Sequence, residues 1–163
     1  MPPRNATADT KAEISLIKDL DAIKEQLPMV EVHHPIPGKL SEFTVLFTVV
    51  QGLWKHGKFV FKFYIPKNWP IERPIVKILT RVYHPNIQDI GDDLTEGDVC
   101  LNILKADYVP TITLPQIIVG LQYLFSEPLP LSALNINAAE EYLKNSESFR
   151  LRVQDYIDQY CPK

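Results

Sequence analysis

The chain has 163 residues, 45% of them hydrophobic and 23% charged, with a net charge of −3, enough for one well-buried core and short for two domains. The slight negative charge gives no electrostatic reason to expect nucleic acid or an acidic membrane surface, so the expected partners are proteins. The two cysteines, Cys100 and Cys161, have no framework spacing, residues 1–11 lack a signal or transit pattern, and no apolar run is long enough to span a bilayer; a monomer of the cytoplasm and nucleus is expected.

A flexible stretch, 1–12, is expected to precede a single domain, 13–163. Ile14, Ile17, Leu20, Ile23 and Leu27 recur at three- and four-residue steps and predict a helix stopped by Pro28, with Lys11, Lys18 and Lys24 off its apolar stripe. Strand character follows at Met29 to His33, Phe43 to Val50, Phe59 to Ile65 and Ile75 to Leu79, with turn signals at Pro37-Gly38 and His56-Gly57. No helix intervenes, so the strands are expected to form a four-stranded antiparallel meander.

From Val82 to Thr111 the periodicity fades and turn formers accumulate, which predicts a long irregular segment of the kind that carries function. Thr113-Leu114-Pro115-Gln116 reads as a capping box opening a helix that buries Ile117, Ile118, Leu121, Leu124 and Phe125. Asn137 and Ser146 are the expected caps of two further helices, the last with a stripe of Phe149, Val153, Tyr156, Ile157 and Tyr160. The expected class is α+β: one helix, a meander, a long loop and three helices.

Two motifs in the irregular segment carry chemistry. Cys100 lies in Gly97-Asp98-Val99-Cys100-Leu101-Asn102, downstream of His84-Pro85-Asn86. A thiol suits acyl carriage, because the thiolate is strongly nucleophilic and its thioester stays reactive towards amines. No metal is expected: His33 and His34 point to opposite faces of a strand, and no zinc spacing exists. The acidic run of Asp89, Asp92, Asp93, Glu96 and Asp98 resembles a calcium loop only superficially, since Gly91 and Leu94 stand where a ligand and a glycine belong and Cys100 replaces the bidentate glutamate.

Tyr83-His84-Pro85-Asn86-Ile87, Gly97 to Leu104 and Glu127-Pro128, in this order of elements, make the chain resemble the ubiquitin-conjugating enzyme family from about Ile14 to its end. Val82 to Ile87, Val99 to Lys105 and Gly120 to Phe125 are most similar to the neddylation branch, whose enzymes modify cullins. The resemblance implies that Cys100 takes the C-terminal glycine of a ubiquitin-like modifier from an activating enzyme as a thioester and yields it to a substrate lysine, aided by a RING-type ligase. It implies no bound cofactor, ATP being used upstream by the activating enzyme. Asn86 is expected to stabilise the tetrahedral oxyanion or to brace the loop presenting Cys100; turn asparagines also serve their own backbone alone. His84 is expected to pin the loop, with Pro85 rigidifying it.

Against the family pattern, the connection from Asn86 to Cys100 is about six residues longer than usual. The insertion reads either as a solvated excursion or as a contact for a basic surface. Ser132 stands where relatives place an acid that helps deprotonate the lysine; the work then falls to ligase and substrate, or to Asp92 or Asp93 reaching over Cys100. By resemblance, Lys11, Lys18 and Lys24 face the activating enzyme. Pro66, Trp69, Pro70 and Pro128 face the ligase, with Trp69 either an anchor or a ring packed on its proline turns. Two rivals remain: a cysteine hydrolase, which needs a base at the sulfur, and a binding module that has lost catalysis.

Overall fold

The structure, a computed structural model, describes residues 6–163. Helix α1 (Ala6–Gln26) leads into five strands, β1 (Glu31–His33), β2 (Glu42–Thr48), β3 (Lys58–Tyr64), β4 (Ile75–Ile78) and β5 (Gly97–Asp98). Helices α2 (Leu114–Ser126), α3 (Ile136–Lys144) and α4 (Ser146–Tyr160) follow. The strands pair in sequence order, every pair antiparallel.

Alternation on β2 and β3 builds the core. Phe43, Val45 and Phe47 register against Phe63, Phe61 and Phe59, all on the buried face, because side chains of a strand alternate faces with period two. Phe59 stacks on Phe125 of α2 at 4.6 Å, and Phe149, Val153 and Ile157 of α4 join the same apolar cluster.

Helix α2 follows its sequence signal closely. Gln116 N–H donates to the Thr113 hydroxyl and Thr113 N–H to Gln116 Oε1, the reciprocal pair of a capping box. The other two caps fall on different residues. Asn135, not Asn137, caps α3 through Ala138 N–H, and Asn145, not Ser146, caps α4 through Ser148 N–H. Asparagine is as strong a cap as serine, so with several candidates adjacent, packing decides among them.

Helix α1 differs twice from expectation. It starts at Ala6, so 6–12 of the expected flexible stretch are helical, and residues 1–5 lie outside the described residues. Ala6, Ala8, Lys11 and Ala12 are strong helix formers that need no apolar stripe. Its buried face is Leu16, Leu20 and Ile23, whereas Ile14 and Ile17 are exposed. Leu16, Leu20, Ile23 and Leu27 form an i, i+4, i+7, i+11 row, and Ile14 lies about 200° round the helix from Leu16.

The long segment is less irregular than expected. β5 adds a fifth strand, Ile87 bridges Val99, and 102–104 form a 3-10 turn. Gly-Asp has little strand propensity; β4 imposes the conformation, pairing Ile78 with Gly97 and Lys77 with Asp98. Among the described residues no helix is long and apolar enough to cross a membrane.

Candidate active site at Cys100

His84, Pro85 and Asn86 are buried, and each reaches into the C-terminal half of the chain. His84 Nδ1 accepts the Asn86 N–H at 2.9 Å, so its other nitrogen carries the proton and donates to the Leu124 carbonyl at 2.8 Å, at the end of α2. The ring is enclosed by Trp54 at 4.6 Å and Phe125 at 5.2 Å. Burial away from water disfavours the imidazolium and lowers the pKa to about 4. The Pro85 carbonyl accepts N–H groups from Leu134 and Asn135.

Asn86 is wholly committed to one loop. Its Nδ2 donates to the Leu129 carbonyl at 2.8 Å and the Ser132 carbonyl at 3.2 Å, and its Oδ1 accepts the Leu129 N–H at 2.8 Å. With no side-chain donor left and no exposure, it braces the 127–134 loop; donating to an oxyanion would require breaking one of these bonds. Of its two expected roles, loop support is the one this geometry performs. Its backbone carbonyl accepts the Cys100 N–H at 2.8 Å, so a single residue joins the cysteine to the opposite loop.

Cys100 is half-buried and not in a disulfide. Both His84 nitrogens are engaged elsewhere, which removes the base a cysteine hydrolase would need. Cys161, the other thiol, is pushed up in pKa by burial.

The insertion closes at its base as a short ladder. Gln88 N–H donates to the Asp98 carbonyl and Asp98 N–H to Gln88 Oε1, both at 2.9 Å. Ile90 is buried over Gly97, where an added Cβ would come within 2.6 Å of its Cγ2. Asp89 accepts from Arg81 Nε at 2.7 Å and the Tyr156 hydroxyl at 2.9 Å; although burial raises its pKa, these bonds leave it below the usual carboxylate range. Glu96 accepts from the Tyr64 hydroxyl at 2.7 Å, and Asp98 pairs with Lys77. Three of the five acids are therefore hydrogen-bonded within the chain, and a fourth, Asp92, is ion-paired there. Asp92 lies 3.9 Å from Arg81 with its side chain fully exposed, and Asp93 is exposed at the tip.

The remaining predicted positions divide. Lys11, Lys18 and Lys24 are all exposed along α1. Trp69 is 3% exposed and part of the core, so it is a packed ring and not a ligase anchor. Pro66, Pro70 and Pro128 are half-buried, and the Pro70 carbonyl accepts the Tyr108 hydroxyl at 2.5 Å. The outward apolar residue of that loop is Ile71, 73% exposed, which the sequence reading passed over in favour of the larger ring. Ser132 is exposed, its carbonyl held by Asn86. Arg81, Tyr64 and Tyr156, which hold the insertion, were also missed; Arg81 and Tyr156 are 75 positions apart, and no local pattern links them.

A helix, an antiparallel meander, a buried His-Pro-Asn segment and a cysteine on the adjoining loop define a class, and residues 15–157 match the family model described as ubiquitin-conjugating enzyme. The chain belongs to the ubiquitin-conjugating enzyme family, transferases that work through a cysteine thioester. Within it, the chain is similar to the NEDD8-conjugating enzyme UBC12 of Yarrowia lipolytica, 39% identical over 145 residues that cover 89% of this chain and 77% of that one. It is also similar to the human NEDD8-conjugating enzyme UBE2F, 36% identical over 154 residues covering 90% and 80% of the two chains. The solved structure of S. cerevisiae Ubc12 superimposes with a TM-score of 0.75 at 33% identity, over 88% of this chain and 77% of that one.

Proposed function

We propose that this chain is a NEDD8-conjugating enzyme that carries its modifier on Cys100 and passes it to lysines of cullin-like substrates with a RING-type ligase. The observation that carries this reading is the run of similar proteins named as NEDD8-conjugating enzymes in yeasts, an insect and vertebrates. Cys100 is the half-buried free thiol whose N–H is held by the braced His-Pro-Asn segment.

The chemistry asks little of it. The Cys100 thiolate attacks the thioester carbonyl on the activating enzyme and expels that enzyme's thiolate, a nearly isoenergetic exchange that needs no adjacent base. A substrate amine then attacks the same carbonyl, the C–S bond breaks, and the amine's proton leaves to solvent or a neighbouring base. Lys11, Lys18 and Lys24 would meet the activating enzyme, and Ile71 with Pro66, Pro70 and Pro128 would meet the ligase.

The test is charging. With ATP and matched activating enzymes, a reducible adduct should form with NEDD8 and vanish in Cys100→Ala. An adduct with ubiquitin alone would move the protein to the ubiquitin branch, and no adduct from folded protein would leave a binding module.

A further inference from the structure

Ser132 leaves the site without the carboxylate expected at that position. Of the five acids between Asn86 and Cys100, four are directed elsewhere: Asp89 is bonded to Arg81 and Tyr156, Glu96 to Tyr64, and Asp92 and Asp93 stand at the exposed tip. Asp98 is placed differently. The ladder that closes the insertion runs on to the thiol, with Gln88 N–H donating to the Asp98 carbonyl, Ile87 bridging Val99, and Cys100 N–H donating to the Asn86 carbonyl. Side chains alternate faces along such a strand. Val99 is 6% exposed and belongs to the core, so Asp98 and Cys100 share the opposite, outward face at adjacent positions on it. The Asp98 side chain is 59% exposed and accepts from Lys77 at Oδ1, while among the described residues Oδ2 has no partner.

We propose that Asp98 is the carboxylate that orients the acceptor amine at Cys100. The inference rests on Cys100 being the modifier carrier. Neighbours on one face of an extended strand stand about 7 Å apart. An amine nitrogen about 3 Å from a carboxylate oxygen and about 3.3 Å from the thioester carbonyl carbon fits between them. The carboxylate accepts a hydrogen bond from the amine, aims its lone pair at the carbonyl and offsets the positive charge that grows on nitrogen during attack. The nitrogen–carbon bond forms, the carbon–sulfur bond breaks with sulfur leaving as thiolate, and the proton released by nitrogen passes by way of Asp98 to solvent. Charging involves no amine, so thiolate exchange at Cys100 does not call on Asp98.

The experiment loads Cys100 of the full chain, in a Cys161→Ser background, by two routes: with NEDD8 from its activating enzyme, and with a glycyl peptide by exchange from a small-molecule thioester. Single-turnover discharge to free lysine is then followed. Asp98→Asn should discharge about 10²-fold more slowly than the unsubstituted chain by either route. Its loading should stay within about twofold and its melting within about 3 °C, because the lost ion pair is exposed. Lys77→Gln removes the same pair but keeps the acid, so it should discharge within about threefold of the unsubstituted rate. Unchanged discharge from Asp98→Asn would overturn the proposal. Lys77→Gln as slow as Asp98→Asn would assign the loss to the pairing of β4 with β5 and likewise overturn it. So would an Asp98→Asn chain that loads as poorly as it discharges, since the thiol itself would then be displaced. Failure of the activating enzyme to form an adduct sinks the carrier reading alone, and the peptide-loaded chain still decides the role of Asp98.

Discussion

Two neighbouring stretches flank Cys100 and are held in opposite ways. His84-Pro85-Asn86 is fully enclosed: His84 Nε2 and the Asn86 carboxamide bond across the fold to residues 124–132, and His84 Nδ1 accepts the Asn86 N–H. The 91–95 tip of the insertion is largely solvated, its base closed by Gln88 and Asp98 and its flank fixed by Asp89. The contrast teaches that the cysteine is positioned from the buried side, and that extra length was accommodated where the backbone could be closed off without disturbing that side.

The largest effect expected from breaking this contrast comes from Asn86→Asp. A carboxylate cannot donate to the Leu129 and Ser132 carbonyls and would face both as a buried negative charge, so stability should fall by about 3 kcal/mol or more. Denaturant unfolding measures the loss, and hydrogen exchange should show the 127–134 amides newly unprotected.

Acid probes the same side. His84 titrates at about 4 in the folded chain and near 6.5 when unfolded, so between those values the unfolded state binds the extra proton. The stabilisation is complete above pH 6.5 and is lost progressively as pH falls towards 4, by about 3 kcal/mol. Protonating Nδ1 would also set its new proton against the Asn86 N–H. Thermal melts across that window should show the slope, and His84→Gln should flatten it at a lower overall stability.

Asp89→Asn removes the ionic partner of Arg81 at a half-buried position and should cost about 1 kcal/mol, with charging of Cys100 preserved. Loss of charging there would show that the insertion's flank positions the thiol after all. The smallest effect belongs to Asp92→Asn and Asp93→Asn, whose exposed carboxylates should move Tm by about 1 °C or less. Discharge to free lysine should also be unchanged, and a fall would support activation of the acceptor amine by one of these acids.

Trp69 and Ile71 show how reading depends on context. Both are large apolar residues in one proline-rich turn, and composition favoured the tryptophan as the contact, yet Trp69 is enclosed and Ile71 projects. Trp69→Ala should cost about 3 to 5 kcal/mol, while Ile71→Ala should leave melting unchanged and weaken stimulation by a RING ligase. Asn86 poses the same problem at the site. Its importance was visible beside a proline and a histidine, but its partners lie 43 and 46 positions away, so the choice between oxyanion donor and brace could not be made locally.

What the sequence determined by itself is what short-range physics encodes. The alternation of β2 and β3, the Thr113–Gln116 capping box and the apolar row of α2 each fix a local conformation within a few residues. The pairing of Cys100 with His84-Pro85-Asn86 and the family it indicates were legible in the same way. The tertiary structure decided which face of α1 is buried, which asparagine caps α3, that Gly97–Asp98 joins the sheet, and that Asn86 supports a loop instead of facing solvent. Those outcomes depend on partners brought together only by the folded core, where burial and hydrogen-bond satisfaction outweigh the small differences in local preference.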